Sequence, residues 1–218
     1  MRKLFAHAVM LLAMAVTSCI PFIESPDAAP ANIEAVDLGL SVKWASFNVG
    51  ATTPEGYGTH FAWGEVSPKE KYTDATYKYR KEYVNGYGES VYDFVDLGDI
   101  SGTQYDAASV NWGGNWRMPT ISEMEELIND CTWEESKLNG VNGFLVIGPN
   151  GNSIFLPAAG YIGGKAVDVG LCGRYWSSTL TERDRYYAYG LYFSGETYSR
   201  YNLNRSHGRS VRAVMDYK

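Results

Sequence analysis

Only one stretch of this 218-residue chain is written as a long helix with its own start signal, and that scarcity constrains the fold. In "RMPTISEMEELINDC", Thr120 and Glu123 fit a capping box, Thr-x-x-Glu. Ile121, Met124, Leu127 and Ile128 follow as an apolar stripe at helical spacing. Glu123, Glu125 and Glu126 fall in the first half, where the helix dipole favours acids. They read as a solvated face opposite a buried stripe, not as catalytic carboxylates. A shorter helix is expected around Tyr105 to Val110.

Strands and turns account for the rest. Val42 to Val49, His60 to Trp63, Tyr175 to Ser178, Tyr187 to Phe193 and Ser210 to Val214 read as strands. Phe144 to Ile147 and Ile154 to Leu156 flank "GPNGNS", a hairpin turn. Six tryptophans, two of them around the Gly-Gly of "NWGGNW", suit anchors of a loop-rich core. The class is α+β, β-rich with one or two helices and long glycine-rich loops.

The first residues set the expected address. Arg2 and Lys3 precede the apolar run Leu4 to Val16, which is too short to span a bilayer as a helix. Thr17 and Ser18 then lead into Cys19, a pattern resembling a bacterial lipobox. Residues 1–18 read as a lipoprotein signal peptide, Cys19 as the lipidation site and residues 19–35 as a proline-broken flexible tether. The folded domain is expected over residues 36–218. The implied location is the cell envelope, lipid-anchored at the outer membrane or cell surface, with the membrane met through the anchor alone.

Removing Arg2 and Lys3 leaves 17 basic and 25 acidic side chains, a net charge near −8, which argues against nucleic acid as a partner. His7, His60 and His207 are the only histidines and no Cys-x-x-Cys occurs, so no metal site and no cofactor is expected. Neither Glu-Pro-Asn nor Trp-Asn-Asp, the strings of calcium-dependent sugar sites, is present. Cys131 and Cys172 have no neighbouring His in sequence to activate them. An oxidising compartment permits a bridge between them, but a buried, free Cys131 is the favoured reading. No catalytic residue is assigned.

The most informative segment is "YYAYGLYFSGETYSRYNLNRSHGRSVR", Tyr186 to Arg212. A core would use Leu, Val and Ile, and a solvated loop Lys, Glu and Asp. Tyr, Ser, Asn, Gly and Arg together are what binding surfaces use, because tyrosine buries a large ring with few torsions to freeze. Leu191 and Phe193 point inward on the expected strand and Tyr192 outward. The candidate contact surface comprises Tyr186, Tyr187, Tyr192, Tyr198, Ser199, Arg200, Tyr201, Asn202, Asn204, Ser206 and His207. Thr181 to Arg212 holds six arginines against Glu182, Asp184 and Glu196, so this end is expected to be basic on an acidic protein.

Several phrases in order, "VDLGLSVKWASFNVGA", "HFAWGE", "DAASVNWGGNWRMPT", "GNSIFLPAAGY", "RYWSS" and "GRSVRAV", resemble the Fibrobacter succinogenes major paralogous domain of lipoproteins in Bacteroides-like bacteria. The resemblance covers Val36 to Val214. It implies a C-type-lectin-like fold and no established catalytic activity. That fold is shared with formylglycine-generating enzymes and with variable receptor-binding proteins diversified by retroelements. "TYSRYNLNRSHG" lacks Glu, Lys, Gln, Met and Trp, as a diversified segment of that kind does, whereas Glu196 departs from the pattern. The expected function is binding of a protein or glycan ligand. The alternatives are a pilus or matrix subunit and, behind it, a formylglycine-type or carbohydrate-active enzyme.

Overall fold

The computed structural model describes residues 30–217. The expected signal peptide, Cys19 and the tether up to residue 29 lie outside the described residues. The strands are β1 (Ala35–Asp37), β2 (Lys43–Ala45), β3 (Arg80–Val84), β4 (Ser90–Phe94), β5 (Thr132–Leu138), β6 (Val141–Ile147) and β7 (Ser153–Pro157). They continue as β8 (Tyr161–Gly163), β9 (Lys165–Val167), β10 (Gly173–Leu180), β11 (Tyr187–Ser194), β12 (Thr197–Asn204) and β13 (Val214–Met215). Helices α1 (Ala107–Trp112) and α2 (Ile121–Asp130) lie between β4 and β5. The α+β expectation holds.

Small sheets replace one large one. β1-β2-β13, β5-β6-β7 and β10-β11-β12 are three-stranded, while β3-β4 and β8-β9 are hairpins. Every pairing within them is antiparallel. The expected Phe144/Ile154 hairpin is β6-β7, with Val146 opposite Ile154. The tether ends sooner than residue 35. Ile33 and Ala35 already pack against the core, and Ala35 pairs with Ala45. Ile33 brings the chain in at that point, and Ile33 N donates to Pro30 O at 3.0 Å.

Two expected strands are mostly ladderless. Of Val42 to Val49 only Lys43–Ala45 is strand, although Phe47, Asn48 and Val49 stay buried. The chain leaves the ladder where Asn48 donates to the carbonyls of Gly56 and Tyr57. His60 to Trp63 contributes one bridge, Phe61 to Arg209, and is held further by Trp63 N donating to Arg205 O at 2.9 Å and by side chains. Trp176 Nε1 donates to Phe61 O at 2.7 Å, and Tyr77 Oη to Trp63 O at 2.7 Å.

Helix α2 begins as the sequence says. Thr120 Oγ1 accepts from Glu123 N at 3.3 Å, and Glu123 Oε2 accepts from Thr120 N at 2.7 Å. Met124 and Leu127 are buried against Leu191, Phe193 and Phe144. Its acids are not a solvated face. Glu123 takes a bidentate pair from Arg117 at 2.6 and 2.9 Å, Glu126 accepts from Ser41 N, and Glu125 meets Arg200. Helix α1 starts at Asp106, whose buried carboxylate accepts four backbone N–H groups, from Gly102, Ala108, Ser109 and Met118.

The C-terminal arginines end up inside. Arg205, Arg209 and Arg212 are at most 3 % exposed. Arg212 donates to Asn48 Oδ1 at 2.8 Å, Ala45 O at 3.0 Å and Phe155 O at 2.8 Å. Arg205 donates to Tyr77 Oη, Arg185 O and Val95 O, with Trp63 4.6 Å from its guanidinium carbon. The expected net-positive surface is therefore corrected: half of the six cations are spent on interior carbonyls. Arg212→Ala strands those acceptors and opens a cavity, and a loss of about 3–5 kcal/mol is expected. Arg212→Lys cannot span three acceptors and should recover little of it. Urea melts of both variants check this; a lysine variant as stable as the parent contradicts it.

Candidate functional site

The sheet β10-β11-β12 carries most of the segment singled out in the sequence. Its register pairs Tyr198 with Phe193, Ser199 with Tyr192, Arg200 with Leu191, Tyr201 with Gly190, and Asn202 with Tyr189. Directly opposed residues share a face, and neighbours along a strand alternate. Tyr198, Arg200 and Asn202 therefore lie on the face that α2 covers, and Ser199 and Tyr201 on the other. The candidate residues do not form one surface.

On the helix-facing side, Tyr198 is half-buried and stacks on Trp133, with centroids 4.8 Å apart and planes at 9°. Arg200 pairs with Glu125 of α2 at 2.9 Å and lies 5.0 Å from the Tyr189 ring centre. These two side chains clamp α2 and β5 to the sheet. Four more of the eleven serve structure or stand apart. Tyr186 packs on Tyr92 and Phe94 and donates to Tyr92 O. Ser206 is 0 % exposed, with its hydroxyl donating to Asp74 at 2.5 Å, so it is removed from the contact surface. Asn204 accepts from Ser206 N and Oγ. Tyr187 is exposed at the far end of β11, opposite Asn204. The physical reason is common to the buried members: a chain turning back into the core must satisfy its polar groups internally.

The outer face holds Tyr192, Ser199 and Tyr201, and the turn after β12 adds His207. Tyr192 and Tyr201 rings are 5.6 Å apart. Arg174, opposite Tyr192 on β10, lies 5.4 Å from the Tyr192 ring and 4.2 Å from the Tyr161 ring. Tyr161 in turn stacks on His207 at 5.5 Å. A row of aromatic and cationic groups thus crosses β8, β10, β11 and β12. Glycine makes it possible. A Cβ on Gly190 would stand 2.2 Å from Tyr175 O and 2.5 Å from Leu203 Cδ1, so only glycine lets the three strands close up beside Tyr201.

Arg209 lies buried behind this row. Its guanidinium is 4.4 Å from Trp176 and 5.4 Å from Tyr161, and Nη1 donates to Asn204 O at 2.6 Å. Its Nε has no partner, and no carboxylate pairs with it among the described residues. Burial, with the Arg174 charge beside it, pulls it down to about 9, so it stays a cation at neutral pH. Asp168, the acid on this side, is engaged by Arg174 at 3.3 Å. Sequence reasoning missed Tyr161 and Arg174. Only the out-in alternation of Arg174 and Tyr175 hinted at the second, and the pairing that brings β8 and β10 to β12 is long-range.

Cys131 and Cys172 are free; Cys172 is buried, and Cys131, free as expected, is half-buried rather than buried. Burial pushes the Cys131 thiol up to about 11 and raises Cys172 as well, which disfavours thiolate at neutral pH. A comparison with models of protein families finds no match to this chain. No curated protein and no solved structure matches it either.

Two predictions follow from this geometry. Tyr198→Ala should cost about 2 kcal/mol through the lost stack and packing, and Tyr201→Ala less than about 0.5 kcal/mol. Equal losses in chemical denaturation would erase the distinction between the faces. Burial lowers His60 and His207 below 6.5, and the Arg209 charge lowers both further. The unfolded chain then takes up these protons first, so the stability linked to them is full above about pH 6.5 and lost as pH falls through the folded values. His60→Gln and His207→Gln should each flatten the decline between neutral and mildly acid pH; unchanged slopes exclude these rings as its source.

Proposed function

We propose that this chain is a lipid-anchored binding protein of the cell envelope, meeting a protein or glycan with the outer face of β10-β12. The observation that carries the reading is the row Tyr161, Arg174, Tyr192 and Tyr201. Large amphipathic rings and a guanidinium side by side, on strands fixed by a deep core, are the makings of a binding hot spot. Tyr201 is 57 % exposed, where a side chain serving the fold alone would gain nothing from a ring. The scaffold is read as C-type-lectin-like on the ordered phrases of the sequence, with the β-rich α+β architecture in keeping. The anchor is Cys19. Retroelement diversification is read as acting on Ser199, Tyr201 and their exposed neighbours, since Ser206 and Arg205 are interior.

A second reading, an assembly subunit, is favoured by a different place. The β3-β4 hairpin pairs with no other strand among the described residues, and it exposes Tyr83, Val84 and Tyr87. Free strand edges with apolar side chains template strand addition. Concentration-dependent sedimentation that Val84→Lys abolishes would support that role.

The test of the preferred reading is a binding screen against host glycans and bacterial surface proteins, with thermal melts in parallel. Tyr192→Ala combined with Tyr201→Ala should lose about 2–4 kcal/mol of binding while the melt moves little. Retained binding, or a collapse in the melt, goes against the outer face as the recognition surface.

A further inference from the structure

We infer that the outer face recognises a sugar bearing a negatively charged group, a carboxylate or a sulfate. This rests on the binding reading above and adds the ligand class. Three observations carry it. First, among the described residues Arg209 is a buried cation with one hydrogen bond, to Asn204 O, and an unpartnered Nε, and no acid pairs with it. A charge in such low-dielectric surroundings is screened weakly, so its field reaches the surface above it. Arg205 and Arg212 differ: each is held by three acceptors.

Second, Arg174 stands at that surface with donors to spare. Its side chain is 22 % exposed and makes one long contact, 3.3 Å, to Asp168. A guanidinium fork offers five donors and matches the paired oxygens of carboxylate or sulfate. His207 and the Tyr161 ring border the same spot. Third, the cations adjoin aromatic rings in steps of 4.2, 5.4 and 5.6 Å from Tyr161 through Arg174 and Tyr192 to Tyr201. An acidic peptide would need the cations alone. The apolar C–H face of a sugar ring stacks on tyrosine while its hydroxyls meet the phenol and Ser199, so the alternation suits an acidic saccharide. On a chain of net charge −6, this basic spot also selects against bulk cationic partners.

The experiment is calorimetric titration of the full chain with four probes: an oligogalacturonate, a heparin-derived hexasaccharide, neutral cellohexaose and hexaglutamate. The first two separate carboxylate from sulfate as the source of charge. Expected is binding of at least one acidic saccharide, at least about tenfold tighter than cellohexaose or hexaglutamate. It should weaken at about 0.5 M salt, where charges are screened within a few ångströms. Arg174→Gln should reduce it about tenfold with an unchanged melt, and Arg174→Lys should restore part of the salt-dependent share but not the fork. The inference is overturned if cellohexaose binds equally, if hexaglutamate matches the best saccharide, if neither acidic saccharide binds at millimolar concentration, or if Arg174→Gln binds like the parent. Should these fail while the tyrosine pair still abolishes binding in the screen, the recognition face stands and only the ligand class falls.

Discussion

Arg212 enters the interior of this protein with no carboxylate paired to it among the described residues, and its charge is met by Ala45 O, Phe155 O and the side chain of Asn48. Those acceptors belong to β2 with the loop that follows it and to β7, more than a hundred residues away in the chain. Asn48 extends the network, donating to Gly56 O and Tyr57 O and facing Tyr175 Oη at 3.4 Å. Tyr175 Oη in turn donates to Pro157 O at 2.6 Å. One planar cation thereby fixes the positions of carbonyls that no sheet ladder satisfies. Burial lowers Arg212 to about 10, so the group stays charged through the neutral range and the network is intact there. Charged donors make hydrogen bonds about twice as strong as neutral ones, which offsets the cost of removing the cation from water.

This interaction explains why a fold of small sheets holds together. Loops between short strands carry many backbone groups without ladder partners, and such groups are costly when buried. Long polar side chains from the C-terminal segment supply the missing donors. Arg205 bonds Arg185 O and Val95 O, and the Trp63 and Trp176 indoles bond Ser177 O and Phe61 O. The core is aromatic for the same reason. Rings reach across wide gaps between loops, and the N–H and O–H groups of Trp63, Trp176, Tyr77 and Tyr175 meet backbone carbonyls there.

The sequence announced what depends on local chemistry and concealed what depends on distant contact. Thr120 and Glu123 set the start of α2, and the register of Leu191 and Phe193 set the inner face of β11, because caps and alternation are written within a few residues. The burial of Arg205, Arg209 and Arg212 was not legible. Arginine beside tyrosine and serine has the composition of a binding surface, and the carbonyls that draw Arg205 and Arg212 inside come from residues 45, 95, 155 and 185. The same ambiguity divides the tyrosines. Tyr198 and Tyr201 are chemically identical and three residues apart, yet strand pairing sends one onto Trp133 and the other to solvent. Strand periodicity separates the two once Thr197–Asn204 is known to be a strand, and the sequence carries no local signal for it.

Scaffold and surface meet at Arg209. Its backbone exchanges hydrogen bonds with Phe61, at 2.9 Å in both directions, and so sets the path of the 60–63 segment. Its side chain lies over Trp176 and behind Tyr161, where fewer acceptors await it than await Arg205 or Arg212. A residue kept only for folding would gain by exchanging that unmet charge for an apolar side chain of similar volume, since such exchanges are often neutral or stabilising. Holding a cation there instead loads the outer face with a fixed positive field that no movement of ligand or loop has to assemble. The rings around it then give that field a shaped surface, with Tyr161 and Arg174 on one side and Tyr192 and Tyr201 carrying it toward the sheet edge. On the proposed reading, the folding role of the C-terminal arginines and the chemistry of the face are two uses of one arrangement, and Arg209, with fewer acceptors than Arg205 or Arg212, serves the second.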